Sequence, residues 1–115
     1  MQKQIEKVLE DSEVVSSWNK VKDKKLSELL MFEFKADIRD GSELRIKEIW
    51  QGDERLRYGY FWIKGGRVLM GWNNSPHHPK LITYPFHAHR GGKVIEWGEV
   101  DVQGVIKCIA EGSIC

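Results

Sequence analysis

An α+β fold built on an antiparallel sheet is the fold class that the sequence predicts for this 115-residue chain. Between Phe32 and Trp72 apolar residues recur at every second position, which is the period of a half-buried strand. Three pairs typical of hairpin turns interrupt this pattern: Asp40-Gly41, Gly52-Asp53 and Gly65-Gly66. Apolar residues at helical spacing appear near the two ends of the chain. The predicted architecture is therefore an antiparallel β-meander of four to five strands packed against N- and C-terminal helices.

The chain is short enough to form one domain around one core, so residues 1–115 are predicted to be a single α+β domain. Residues 1–28 are predicted to be a helical N-terminal segment, 29–72 the β-meander, 73–93 a His/Pro-rich basic loop, and 94–115 a short strand and the C-terminal helix. The N-terminus has no apolar run of the kind that a signal peptide or a membrane span requires. We therefore expect a cytoplasmic protein with no membrane partner. Exposed edge strands of a small meander also predict a homodimer.

The two terminal helices have different support. Ile5, Val8 and Leu9 are spaced as in an amphipathic helix, and Asp101–Ala110 has the pattern of a final helix weakened by Gly104. Residues 13–25 fit helical periodicity, although their Val-Val-Ser-Ser-Trp run would also suit an edge strand. We assign them to the helical segment.

Glu48 is the one residue that breaks the apolar face of the predicted sheet, because it falls between Ile46 and Trp50. An unpaired buried carboxylate costs several kcal/mol. Two interpretations follow. Glu48 makes a structural hydrogen bond to Tyr58 or Tyr60 or a salt bridge, or it serves as a general base or orients a histidine.

Positive charge and histidine are concentrated between Lys64 and Lys93. This segment has five Lys and Arg and no acidic residue, whereas the whole chain sums to +1, so the remainder carries −4. Such segregation attracts anions. All four histidines of the chain lie there: His77, His78, His87 and His89. The last two would project to the same side of an extended segment, whereas the adjacent first two would point apart, so at most three should converge.

The order of these features resembles a known family. A D-G hairpin, a strand with an inward Glu and a Tyr-x-Tyr strand precede the motifs W-x-N-x-P-H-H-P, at 72–79, and P-x-H-x-H, at 85–89. This order is similar to that of the TumE-type toxins of prokaryotic toxin-antitoxin pairs, over residues 29–100. The family pattern usually has an arginine at the position of Gly71 and an aspartate at that of Asn73, and both residues are neutral here. The resemblance implies a small toxin that is encoded beside an antitoxin and targets RNA.

The residues themselves fit a metal-independent ribonuclease with no cofactor. Such an enzyme needs a base for the 2′-hydroxyl, an acid for the leaving oxygen and cations for the phosphorane. Histidine suits both proton roles, so we predict that two of the four histidines form the pair and that Glu48 orients one imidazole. We predict that the following residues contact phosphate or stack on bases: Arg67, Lys80, Arg90, Asn74, Tyr58, Tyr60 and Trp72.

Two other interpretations use the same residues. His77, His87 and His89 could bind Zn²⁺ or another divalent ion, although their spacing matches no structural zinc module and nearby basic residues would weaken such a site. Alternatively, the basic loop binds nucleic acid or an acidic antitoxin segment without catalysis. An enzyme would process excess RNA, whereas a binding module would saturate.

Overall fold

The computed structural model describes residues 2–112, and the end of the predicted 94–115 segment lies outside them. The elements, in chain order, are α1 (Gln2–Asp11), β1 (Val15–Leu26), β2 (Leu29–Ile38), β3 (Glu43–Gln51), β4 (Glu54–Lys64), β5 (Arg67–Asn73), β6 (His87–Arg90), β7 (Lys93–Glu96) and α2 (Val102–Ala110). The strands form one sheet in the order β1 to β7, and each adjacent pair is antiparallel. The α+β class and both terminal helices are confirmed. The sheet has seven strands rather than four to five.

The first additional strand is β1, and the prediction of a helical segment through residue 28 was wrong there. This strand pairs with β2 from Val15 opposite Ile38 to Leu26 opposite Leu29. Nearly all of its side chains are exposed, so it lacks the alternating burial that identifies a strand from sequence. Pairing with β2, rather than its own hydrophobic period, makes it a strand.

The second additional strand is β6, which lies within the predicted 73–93 loop and pairs with β7, the short strand that was predicted to follow that loop. Each strand has only four residues. Gly91 and Gly92 form the tight turn between the two strands, with φ angles of 56° and 79°. Both values lie in the left-handed region that glycine adopts without strain. Strands this short give little periodic signal.

One face of the sheet packs beneath the helices, and we call it the core face. Its buried side chains alternate along β2 to β6 and include Phe32, Phe34, Ala36, Leu44, Ile46, Tyr58, Tyr60, Trp62, Met70, Trp72 and Ala88. Helix α1 adds Ile5 and Leu9, and α2 adds Val105 and Ile109. Asp101 caps α2 by accepting a hydrogen bond from the Gly104 amide. The opposite face of the sheet is called the outer face. None of the described helices has the length and apolar content needed to cross a membrane.

Glu48 lies on the core face, where it is 3% exposed, and it is held by a hydrogen-bond network. The Tyr60 hydroxyl donates to its Oε2, and Trp50 Nε1 donates to its Oε1 at 2.7 Å. Arg55 Nη1 donates to the Tyr60 oxygen at 2.7 Å and lies 3.9 Å from Glu48 Oε2. The structural interpretation of Glu48 is confirmed, since its carboxylate is satisfied by Tyr60 and Trp50. Burial, followed by the charge of Glu48, strongly raises the pKa of Tyr60.

Removing the Glu48 carboxylate should destabilise the protein, because the buried Tyr60 hydroxyl and the partly buried Trp50 ring lose their acceptor and Arg55 loses a neighbouring negative charge. We expect Glu48→Ala to lower the free energy of unfolding by about 3 kcal/mol, measured by urea denaturation. Glu48→Gln, which retains an acceptor oxygen, should cost less. Equal stability of Glu48→Ala and the parent would contradict this role.

The two buried tyrosines should remain protonated in the folded protein at alkaline pH, because burial raises the pKa of both Tyr58 and Tyr60. In a Tyr84→Phe variant they are the only tyrosines. Absorbance at 295 nm should then stay flat until the protein unfolds. Tyrosine in the unfolded chain ionises at about pH 10. The contribution of the two tyrosines to the free energy of unfolding is therefore fully present below about pH 10 and decreases as the pH rises above it. A rise in absorbance that precedes the loss of tertiary structure by circular dichroism would refute this.

Candidate functional site

The histidines of β6 lie on the outer face because of the register between β5 and β6. Gly71 pairs with His89, and Asn73 pairs with His87. The intervening pair, Trp72 with Ala88, is completely buried on the core face. Since side chains alternate along a strand, His87 and His89 project together from the opposite side of the sheet.

The third histidine comes from the connection between β5 and β6. Residues 74–86 form a series of turns and are anchored at several points. Asn74, 6% exposed, accepts from the Tyr58 amide at 2.9 Å and donates to the Leu56 carbonyl at 3.1 Å. Farther along, the Ile82 amide donates to the Glu96 carboxylate on β7 at 2.8 Å. These bonds hold the loop so that the ring of His78 contacts the rings of β6.

We call the rings of His78, His87 and His89 the histidine cluster. Their ring centroids are 5.0 Å apart for His78 and His87, 4.9 Å for His87 and His89, and 6.0 Å for His78 and His89. One nitrogen from each ring lies within 4.8 Å of the other two. His87 is buried, whereas the other two rings are partly exposed. The cluster is therefore open to solvent on one side.

The tautomer of His87 follows from its backbone contact. Its Nδ1 lies 3.0 Å from the carbonyl oxygen of Pro85, which can only accept a hydrogen bond. In the neutral ring, the proton is therefore on Nδ1 and the lone pair is on Nε2. Burial, and then the charges of His87 and His78, lower the pKa of His89 below its ordinary value of about 6.5.

His77 does not join the cluster. Its side chain is exposed, and its backbone amide donates to the Ser75 carbonyl at 2.9 Å. The prediction that at most three imidazoles converge is confirmed. The prediction that His77, His87 and His89 form the group is wrong in one member, because the chain turns at the adjacent prolines and directs His78 inward instead.

Several predicted site residues lie on the core face and cannot reach the cluster. They are Glu48, Tyr58, Tyr60 and Trp72, all of them buried. The predicted role of Glu48 in orienting a histidine is therefore wrong, as is base stacking on the three aromatic residues. Side chains alternate between the two faces of a strand, so the sheet lies between these residues and the histidines.

The predicted phosphate-binding residues are also dispersed. Arg90 follows Ala88 on the core-face side of β6, and its Nη2 lies 3.7 Å from the sulfur of Met70. Arg67 and Lys80 are exposed, on β5 and in the 74–86 loop. Asn74 is occupied by backbone groups, as described above. Arg67, Lys80 and Arg90 are all exposed, but Arg90 lies on the side of the sheet opposite to His87 and His89.

Phe61 is a residue beside the cluster that sequence analysis missed. It pairs with Gly71, next to His89 in the same row across the outer face. Its ring covers two glycines, since a Cβ at Gly71 would lie 2.9 Å from Cδ1 and one at Gly59 would lie 3.1 Å from Cε2. Glycine on the outward side of two adjacent strands is the signal that could have identified this close packing.

The row through the cluster continues onto β3. Arg45 pairs with Phe61, and Lys47 pairs with Gly59. Both cations have acidic neighbours: Arg45 Nε lies 2.5 Å from Glu43, and Lys47 Nζ lies 3.5 Å from Glu33. The outer face therefore has basic residues on β3, uncharged residues on β5 next to the histidines, and Glu96 opposite His87 on β7.

A cleft of about 1340 Å³ occupies the other side of the molecule, between the two helices and the adjoining ends of β3 and β4. It is lined by Glu48 and Arg55 and by apolar residues of α1 and α2, including Ile5, Val8 and Val102. None of the three clustered histidines lines it. The two regions are separated by the sheet.

Fold and site together define a small α+β protein with a histidine-bearing face on an antiparallel sheet. The family model described as Toxin TumE matches residues 5–111, and the chain belongs to this toxin family. Comparison with curated proteins finds no match, and comparison with solved structures finds none. The family resemblance stated from the sequence is thereby confirmed.

Gly71→Ala should destabilise the protein because the new methyl group would meet the Phe61 ring. We expect a cost of about 1–2 kcal/mol in urea denaturation. The same change in a Phe61→Leu background should cost much less, which gives a positive coupling energy in a double-mutant cycle. Equal costs in both backgrounds would show that Phe61 does not restrict position 71.

Proposed function

We propose that this toxin acts on RNA at the outer face and that the histidine cluster carries the chemistry. The observation that supports this most directly is the convergence of His78, His87 and His89 on one solvent-accessible point. Such a grouping brings together side chains that can exchange protons or bind an ion near neutral pH. The surrounding backbone holds it in place through the β5–β6 register and the anchored 74–86 loop.

RNA as the target is supported by charge and by an aromatic side chain. The Lys64–Lys93 segment has five basic residues and no acidic ones, which favours a polyanion. Arg67 and Lys80 are exposed and remain our candidates for phosphate contact. Phe61 is partly exposed and is separated from His89 by Gly71 in the row across the outer face, and it replaces the buried tyrosines as the candidate for stacking on an unpaired base.

Two forms of chemistry are available to the cluster. In the metal-free form predicted from the sequence, one imidazole takes the 2′-hydroxyl proton and another protonates the leaving 5′-oxygen. In the other form, the imidazoles bind a divalent ion that polarises the phosphate. Both forms require His78 and His89, whereas His77 is not needed for either. The shared prediction can therefore be tested before the two forms are separated.

A toxin of this kind implies a cognate antitoxin as its protein partner. The exposed basic residues of the segment are suitable for an acidic antitoxin segment that would compete with RNA. The same basic residues also fit the non-catalytic alternative, in which the outer face binds RNA or the antitoxin without turnover. Measurement of turnover separates the enzyme from the binding module.

The test is processing of total cellular RNA by purified protein at a substoichiometric concentration. We expect multiple turnover by the parent, with His78→Gln and His89→Gln lowering the rate by at least about 100-fold, since proton-transfer groups contribute about 10²–10⁴-fold. Growth arrest on induction in cells should be lost in the same variants.

His77→Gln is the matched control, because it removes an adjacent imidazole that lies outside the cluster. It should retain full activity and toxicity. Circular dichroism and denaturation midpoints should show that all three variants are folded. Full activity in folded His78→Gln and His89→Gln proteins would refute the proposed site, and one-to-one binding of RNA without processing would favour the binding module.

A further inference from the structure

The geometry points to the histidine cluster as a binding site for one divalent transition-metal ion of the Zn²⁺ class. We infer that His78, His87 and His89 supply three nitrogen ligands and leave one position open to solvent. The inference that an ion binds is drawn from the structure alone, whereas any role of the ion in RNA processing rests on the function proposed above.

The spacing of the nitrogens is close to that of a coordination site. Zinc binds imidazole nitrogen at 2.0–2.1 Å, which places two nitrogens of a tetrahedral site about 3.3 Å apart. The three nitrogens of the cluster lie within 4.8 Å of one another before any ion is bound. Small side-chain rotations of the two partly exposed rings, His78 and His89, would close this difference while His87 stays fixed.

The contacts of the three rings leave the required lone pairs available. His87 uses Nδ1 to contact the Pro85 carbonyl at 3.0 Å, so its Nε2 faces away with a lone pair. Histidine ligands of metal sites commonly have this second contact, which fixes the ring orientation and raises ligand basicity. Within residues 2–112, His78 and His89 have ring contacts with the cluster but no side-chain hydrogen bond to another group.

The donor set selects the class of ion. Three imidazoles without a carboxylate suit Zn²⁺, Co²⁺ or Ni²⁺, whereas Mg²⁺ and Ca²⁺ require mainly oxygen ligands. The neighbouring positions on β5 are uncharged, as Gly71 and Asn73, and Phe61 covers the glycine. The cations on β3 are paired with Glu33 and Glu43. Strands β5 and β3 therefore add no uncompensated positive charge beside the cluster, which weakens the electrostatic argument made against a metal from the sequence.

The open position faces solvent beside residues that could contact RNA. A three-histidine site with a free fourth position accepts water or a phosphate oxygen and acts as a Lewis acid. A phosphate bound there would also be close to Phe61, which pairs with the neighbour of His89. The same site can thus hold the ion and receive the polyanion.

The test uses full-length protein without a histidine tag, dialysed against chelator and then titrated with Co²⁺. We expect one equivalent to bind with the visible absorption of a tetrahedral nitrogen-rich site, and Zn²⁺ to displace it. His78→Gln and His89→Gln should each weaken binding by more than the roughly 10–100-fold typical of losing an outer-shell partner. His77→Gln should bind like the parent.

His87 is buried, so its replacement could unfold the protein, and the two partly exposed ligands are tested instead. Absence of stoichiometric binding by the folded parent would overturn the inference. So would binding that persists unchanged in both folded variants or that depends on His77.

RNA processing measured on the same samples separates this inference from the proposed function. Processing that continues in chelator but is lost in His89→Gln, with no stoichiometric binding of metal, would retain the acid-base ribonuclease and overturn the metal site. Stoichiometric metal without any RNA processing or toxicity would uphold the site and refute the proposed function.

Discussion

The pairing of β5 with β6 is the constraint on which the site depends. It places Trp72 and Ala88 in the core, and the same alternation places His87 and His89 on the other side of the sheet. A shift of one residue would bury the two histidines beneath the helices and expose the apolar pair. Because the core cannot tolerate that exchange, the burial of Trp72 also fixes the direction of the histidines.

Glu48 and the histidine cluster lie in opposite kinds of environment. On the core face, Glu48 is surrounded by Trp50, Tyr60 and Arg55, so its carboxylate is satisfied inside the protein. On the outer face, two of the three clustered rings have no comparable partner within the described residues and are partly open to solvent. A satisfied network stabilises one conformation, whereas accessible nitrogen atoms remain available to a ligand. This difference, rather than the residue types alone, separates the structural carboxylate from the candidate site.

Phe61 fills a part of the outer face that would otherwise hold other side chains. The ring occupies the space above Gly59 and Gly71 that side chains would otherwise fill. Position 71, which pairs with His89, is thus a glycine covered by an aromatic ring. The cluster consequently has an uncharged neighbour on that side, which lowers the electrostatic cost of placing a cation there.

The sequence by itself determined the α+β class, strands β2 to β5, both terminal helices and the family, because each depends on local periodicity or on a distinctive motif. It also predicted that at most three histidines converge, since alternation along an extended chain limits which side chains can meet. It also predicted a short strand where β7 lies, but it could not assign β1, whose exposed residues carry no alternating burial, or the four-residue strand β6. Only the tertiary structure decided that His78 rather than His77 joins the cluster and that Glu48 lies on the opposite face. Those facts depend on how the 74–86 loop folds back and on which side of the sheet the helices cover, and neither is encoded in a local pattern.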